Sequence, residues 1–204
     1  ATLNELIAPF VATLGPEDPV VTSFDNPPLR GPENVLGRAD VVICGAPASS
    51  RLSTRVLGEV TLCAQVPAVH RFARERRQTV DVSELAGEAL VVQTRENMSR
   101  LLLDSALAAH GMTAPIVAEC EVERMVQALA ASGRGVGILT ERPHLGLHAI
   151  RITDHGEPLQ MTLIAAWEPS HYASARIDDL MARLGDYLGE VSREIAAAQH
   201  WDID

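Results

Sequence analysis

Thr94-Arg95-Glu96-Asn97 is the stretch of this chain best furnished to hold a small ion. It stands between Leu90–Gln93, an apolar run that reads as a buried strand, and Met98 to about His110, an amphipathic run that reads as a helix stopped by Gly111. A helix start leaves backbone N–H groups without partners and carries a partial positive charge, a combination that suits an anion. If the amides of Asn97 to Ser99 face a ligand, the Thr94 hydroxyl and the Asn97 carboxamide can orient a carboxylate, and Arg95 can pair with it through two parallel hydrogen bonds. Capping alone would also explain Asn97, and a lone arginine is ordinarily a surface residue. Thr2 opens a second helix with the same N-capping chemistry.

Other chemistries find less support. Cys44, Cys63 and Cys120 are odd in number, widely spaced and without a CxxC pair, which fits small buried hydrophobes in a reducing compartment better than a disulfide scaffold. A redox role for Cys44 and Cys120 is the minor alternative. No His/Cys/Asp group has metal-ligand spacing, so no metal and no cofactor is expected. His144 and His148 stand four apart, but Pro143 and the neighbouring glycines argue against a ligand-bearing helix. The chain has no lysine, which excludes Schiff-base chemistry and a P-loop lysine. Gly133-Arg134-Gly135 is too short for a dinucleotide fingerprint and follows a helix where that motif would open one. With no Ser-His-Asp order either, the chain does not read as an enzyme. The basic run His70–Arg77 is either an anion or partner surface or, more simply, a solvated face beside acidic residues.

The elements around Thr94 alternate between helix and strand. Val122, Met125, Val126 and Leu129 recur at helical spacing; Gly133 ends that helix, and Gly135 turns the chain into the short buried strand Val136–Leu139. Residues 3–14 carry an apolar stripe from Leu3 to Leu14, interrupted by Pro9, which should kink the helix or delay its start. Strands are expected at 20–24, 41–44, 60–66, 90–93, 116–118, 147–152 and 161–167, with a loop over 48–58 and one helical turn over 82–85. Asp154-His155-Gly156 reads as a turn, and Ile177, Leu180, Met181, Leu184 and Leu188 mark one face of a long last helix, opening at 170–174, with residues 196–204 fraying. The segment 67–160 holds its own β-α-β-α-β set, while the pieces on either side must pair with each other. The fold class is therefore α/β: two Rossmann-like lobes, residues 1–65 with 162–204 and residues 66–161, joined by two crossover strands near Leu62–Val66 and Met161–Ala165.

The 204 residues are 47% hydrophobic, enough for two real cores, yet no apolar run approaches the ~18 residues a membrane span needs. The N-terminus has no signal-peptide pattern, so a cytoplasmic location is expected, and the all-arginine basic residues suggest a GC-rich bacterial genome. A formal charge of −10 argues against this chain alone gripping a nucleic-acid backbone.

Four stretches in order resemble one family. GRADVVICGAP, HRFARERRQTVDVSELAGEALVV, LLLDSALAAHG and VQALAASGRGVGIL are similar to successive motifs of the effector-binding domain of LysR-type transcriptional regulators, a fold shared with type 2 periplasmic binding proteins. The likeness runs from about Thr2 to Val191. HRFA lacks the family's proline, and Thr140 stands where the family usually has one. The resemblance implies a regulatory fragment whose DNA-binding winged helix-turn-helix, and the first strand of whose effector domain, lie outside this sequence. It also implies that a small effector binds between two lobes, touching Thr2, Asn26, Gly45, Ala46, Thr94, Arg95, Asn97, Met98 and Glu123, and the helix starts among these suit an anion. The partners it implies are that effector, a second copy in a homodimer or tetramer, and DNA only through the missing domain, with no membrane. In the dimer it implies, helix 3–14 pairs with helix 98–110 through Ile7, Val11 and Leu101 to Leu103. The rival from another class is a solute-binding protein of a transport system.

Overall fold

The computed structural model describes residues 2–18, 36, 39–45 and 48–198, with the backbone alone at 2–6 and 192–198. The expected strand 20–24 and turn 26–28 lie outside the described residues. The chain forms two compact units, residues 60–161 and residues 3–59 with 162–204, and it passes from one to the other at 59/60 and at 161/162.

The unit 60–161 is built on one mixed sheet. After β2 (Ser53–Thr61), which belongs to the sheet of the other unit, its strands are β3 (Cys63–Pro67), β4 (Thr79–Asp81), β5 (Leu90–Gln93), β6 (Ile116–Cys120), β7 (Val136–Leu139), β8 (Leu147–Asp154) and the two-residue β9 (Glu157–Pro158). The order is β4-β8-β3-β7-β5-β6, with β9 hairpinned onto β8. β5 lies parallel to both β6 and β7, whereas β3 runs antiparallel to β7 and β8. Parallel neighbours need crossover helices. These are α3 (Met98–Ala109), between β5 and β6, and α4 (Glu123–Ala131), between β6 and β7.

β5 is buried on both faces, so its alternating side chains serve two cores. Leu90 and Val92 join Leu103, Ala106 and Leu107 of α3, while Val91 joins Val126 of α4 and Leu139 of β7. The apolar stripe proposed for α4 is only half correct. Val126 is buried, but Val122 and Met125 are about half exposed, at 51% and 53%; Gln127 and Ala130 are buried in their stead. Gly133 closes α4 with a φ of 77°. Gly135 is needed for space: a Cβ there would meet the Ala89 carbonyl oxygen at 2.5 Å. The expected helical turn is a 3-10 segment, Val82–Gly87, and its cap is Asp81, closed into a capping box with Glu84. β4 has no counterpart in the sequence reading because three residues carry too little periodicity.

In the other unit a three-stranded sheet, β1 (Val42–Cys44), β10 (Gln160–Trp167) and β2, has the order β1-β10-β2, with Val42 opposite Ala166. Against it pack α1 (Thr2–Val11) and α5 (Ser174–Ala198). Ile7 and Phe10 meet Ile177, Leu180, Met181, Leu184 and Leu188, the face read from the sequence. Helix α1 runs through Pro9 and starts at Thr2, which is its first residue and not the cap before it. The loop expected to 58 gives way at Ser53, where β2 begins. Trp167 is buried, and its indole N–H donates to Ser174 Oγ at 3.0 Å.

The close approach at Gly135 gives a stability test. Gly135→Ala should lower the unfolding free energy by about 1–3 kcal/mol, because the new Cβ meets rigid backbone that cannot move aside. Urea denaturation compared with the wild-type chain measures this.

Candidate functional site

Two loops leave the same end of the parallel strands. Gln93 of β5 lies opposite Cys120 of β6, and the Thr94 N–H donates to the Cys120 carbonyl at 3.2 Å. The segment Thr94–Met98 and the start of α4 at Glu123 therefore flank one edge, the strand-end position where open α/β sheets take ligands.

The start of α3 is ordered by its own side chains. Asn97 is the N-cap, and its Oδ1 accepts from the Ser99 N–H at 2.9 Å and from Ser99 Oγ at 2.8 Å. The Asn97 N–H donates to the Thr94 carbonyl at 3.0 Å. Two of the three amides that the sequence reading offered to an anion are thus committed within the loop. Met98 is half-buried at the first turn. The cap uses only the oxygen of the Asn97 carboxamide. Arg95 is exposed and has no ion pair among the described residues.

A second arginine went unnoticed in the sequence. Arg100 is 4% exposed and sits one turn into α3. Its Nε donates to both Asp104 oxygens at 2.9 Å, and its Nη1 donates to Glu119 at 2.9 Å and to the Gln93 carbonyl at 3.3 Å. Burial pulls the guanidinium down, but the two carboxylates outweigh it and hold the group above its usual value. The Asp104 spacing of i,i+4 was visible; the approach of Glu119 from β6 was not. Arg100 fastens α3 to β5 and β6, whereas Arg95 stands exposed at this edge with no ion pair among the described residues.

Of the remaining site residues named from the sequence, Gly45 follows β1 in the other unit. Thr2 opens α1, and its side chain, like Asn26 and Ala46, lies outside the described residues. The basic run 70–77 is largely exposed and meets acidic partners: Arg71 pairs with Glu88 at 2.7 Å and Arg77 with Glu84 at 2.6 Å, both over the buried Phe72 ring. That favours the solvated-face reading. Burial pushes the Cys63 thiol up to about 11 and raises Cys120 as well, which disfavours the thiolate at these two positions. His144 and His148 lie off any helix, as expected. The fold instead gathers His110, Asp154 and His155, whose ligating atoms lie within 4.8 Å of one another. Nothing in their sequence spacing announces the group.

The mixed α/β architecture, with parallel strands feeding helix starts in this order, is periplasmic-binding-protein-like. The model of the LysR substrate binding domain matches residues 33–189, and the chain belongs to that family. Its fold is shared with the effector-binding domain of QuiR solved in complex with shikimate, at a TM-score of 0.71 and 20% identity, covering 91% of this chain and 90% of that one. An OxyR mutant from Corynebacterium glutamicum gives 0.76 at 14% identity, over 97% of this chain and 65% of that one. HinK, a LysR family transcriptional regulator from Pseudomonas aeruginosa, gives 0.64 at 22% identity over 76% of this chain; the match spans 56% of HinK's length. No curated protein sequence matches the chain. The chain is a ligand-sensing regulatory domain of the LysR type, and the transport reading is not favoured. No described helix is long and apolar enough to cross a membrane.

The capping role of Asn97 is separable from binding. Asn97→Ala should cost about 1 kcal/mol of stability, while Asn97→Asp, which keeps the acceptor and complements the helix dipole, should cost less. Thermal unfolding followed by circular dichroism ranks the two.

Proposed function

We propose that the effector of this domain is a small organic anion whose carboxylate meets Arg95, the Thr94 hydroxyl and the Asn97 carboxamide at the start of α3, with Met98 and Glu123 beside it. The observation that carries the reading is the division of labour between two arginines. Arg100 is buried and saturated by Asp104 and Glu119, whereas Arg95, five residues earlier, is exposed and unpaired among the described residues. The positive end of α3 adds a favourable field. QuiR was solved with shikimate, a carboxylate, which supports the same ligand class here. Glu121 and Glu123 bring negative charge to the neighbouring loop, so affinity is modest, on the order of micromolar, and falls with salt. Asn26, Gly45 and Ala46 are contacts implied by family likeness alone, and Thr2 by that likeness and by the helix it opens. The loop offers hydrogen-bond donors suited to binding, in keeping with the regulatory domain family to which the chain belongs.

An effector regulates only through unequal affinity for two conformations, and the free-energy difference is what reaches the rest of the regulator. We infer that DNA contact belongs to a segment outside this acidic chain, that the regulator works in the cytoplasm, and that two copies of this domain associate. For the last, the structure narrows the residues available. Ile7 and Leu103, offered from the sequence as surplus apolar surface, are fully buried; Leu101 is 42% exposed. Leu101→Glu should shift the chain toward monomer in light scattering at tens of micromolar, with the circular dichroism spectrum unchanged.

The ligand test is calorimetry against a panel of hydroxy acids, amino acids and inorganic anions. A carboxylate that binds the wild-type chain should lose at least about tenfold in affinity in Arg95→Ala with Thr94→Ala, since a charge-assisted pair contributes about 1.5–3 kcal/mol. Asn97→Asp should keep stability yet repel the same ligand. Equal binding by all three proteins would place the effector elsewhere.

A further inference from the structure

Far from the start of α3, its other end carries a second group of side chains. His110 is the C-cap residue of α3, and its Nε2 lies 2.7 Å from Asp154 Oδ1. Asp154 ends β8, and the next residue, His155, opens the two-residue turn into β9. His155 Nε2 stands 3.8 Å from the same Asp154 oxygen. The two imidazole rings face each other with centroids 4.8 Å apart. All of these residues belong to the unit 60–161.

A hydrogen-bonded His–Asp pair is by itself an ordinary ion pair. The second imidazole changes the reading. His155 has a φ of 51°, followed by Gly156 at 87°, the backbone of a type I′ hairpin turn. Asn or Asp followed by Gly is the usual choice there, because both tolerate the left-handed region. Histidine gives up part of that preference, and it gains a ring nitrogen beside Asp154 and His110. Its side chain is 84% exposed, so burial in the core does not explain the choice.

We propose that His110, Asp154 and His155 form a binding site for a borderline divalent cation, best represented by Zn2+, with two imidazole nitrogens and one carboxylate oxygen as ligands. Two nitrogens and an oxygen suit zinc, nickel or copper, whereas calcium and magnesium demand oxygen donors. Around an ion at about 2.0–2.2 Å, ligand atoms stand roughly 3–4 Å apart. The His155–Asp154 distance already falls in that range. The His110–Asp154 distance is shorter because a proton now bridges the two atoms, and the ion takes that proton's place. His110 is held by α3 and Asp154 by β8, so two ligands are fixed and the exposed His155 swings to close the site. Remaining coordination positions face water. Asp81, paired across β4 and β8 with Thr153, adds a nearby negative field: both imidazoles contribute to lowering its carboxyl, after the hydrogen bonds from Ser83. The bound ion links the C-terminal end of α3 to the β8–β9 hairpin.

The test uses the 204-residue chain stripped with a chelator and titrated with zinc chloride in a calorimeter. One equivalent should bind with a dissociation constant on the order of micromolar, and the thermal midpoint should rise. His155→Asn keeps a residue suited to the turn, so it should fold as the wild type does, yet weaken zinc by at least about tenfold. Asp154→Asn provides a second variant with the same expected loss. Cobalt(II) should give a d–d spectrum without thiolate charge-transfer absorption. Absence of saturable binding, binding unchanged in both variants, or a thiolate signature assigning the ion to cysteine would each overturn the proposal.

Discussion

Strand β5 is buried on both faces, and most of the unit 60–161 depends on it. Parallel pairing with β6 on one side and β7 on the other forces two crossovers, and those crossovers are α3 and α4. Leu90 and Val92 need α3 above them and Val91 needs α4 below, so the strand's alternation fixes which helix covers which face. Its last residue, Gln93, then reaches out of the sheet: its side chain accepts from Ser99 Oγ at 2.8 Å and its carbonyl accepts from Arg100. The strand thus sets the position of the loop Thr94–Met98 as well as the packing of the core.

Buried polar groups make this arrangement specific. An interior guanidinium is costly unless it is paired and hydrogen-bonded, and Arg100 meets both conditions only when α3, β5 and β6 are in register. Gln65 of β3 and Gln127 of α4 act similarly on the opposite face. Gln127 Nε2 donates to Gln65 Oε1 at 3.1 Å and to the Arg142 carbonyl at 2.7 Å, and Gln65 Nε2 donates to the Glu141 carbonyl at 2.6 Å. These bonds tie α4 and β3 to the loop after β7. In the other unit the fastening is electrostatic and nearer the surface, through Arg55 with Asp178 and Arg183 with Asp18, each at 2.6 Å. Exposed pairs of that kind contribute little individually, so the α1–α5 contact rests mainly on its apolar face.

Helix α3 runs from the loop Thr94–Met98 to the group His110, Asp154 and His155. Its N-terminal end presents Arg95 and a capped turn, and its C-terminal end presents His110 to the β8–β9 hairpin. Along its length Leu103, Ala106 and Leu107 are held in the core. Any shift at one end of this helix meets its packed middle.

Local signals in the sequence determined a good deal. Strand β5, helix α3 with its Asn97 cap and Gly111 exit, the end of α4 at Gly133, β7, and the apolar face of α5 were all legible, because periodicity and capping are properties of neighbouring residues. The order of these elements sufficed to name the α/β class and the family likeness. The sequence could not show that Val122 and Met125 face outward or that β2 begins at Ser53, since β-propensity and apolar spacing do not say which face finds a partner. Nor could it show that the Asn97 and Ser99 amides are used within their own loop, or that Glu119 and Asp104 converge on Arg100. The pairing of His110 with Asp154, 44 residues apart, likewise appears only when α3 docks beside the β8–β9 hairpin. Long-range pairing of polar groups depends on which elements become neighbours, and that is decided by the packing of the sheet.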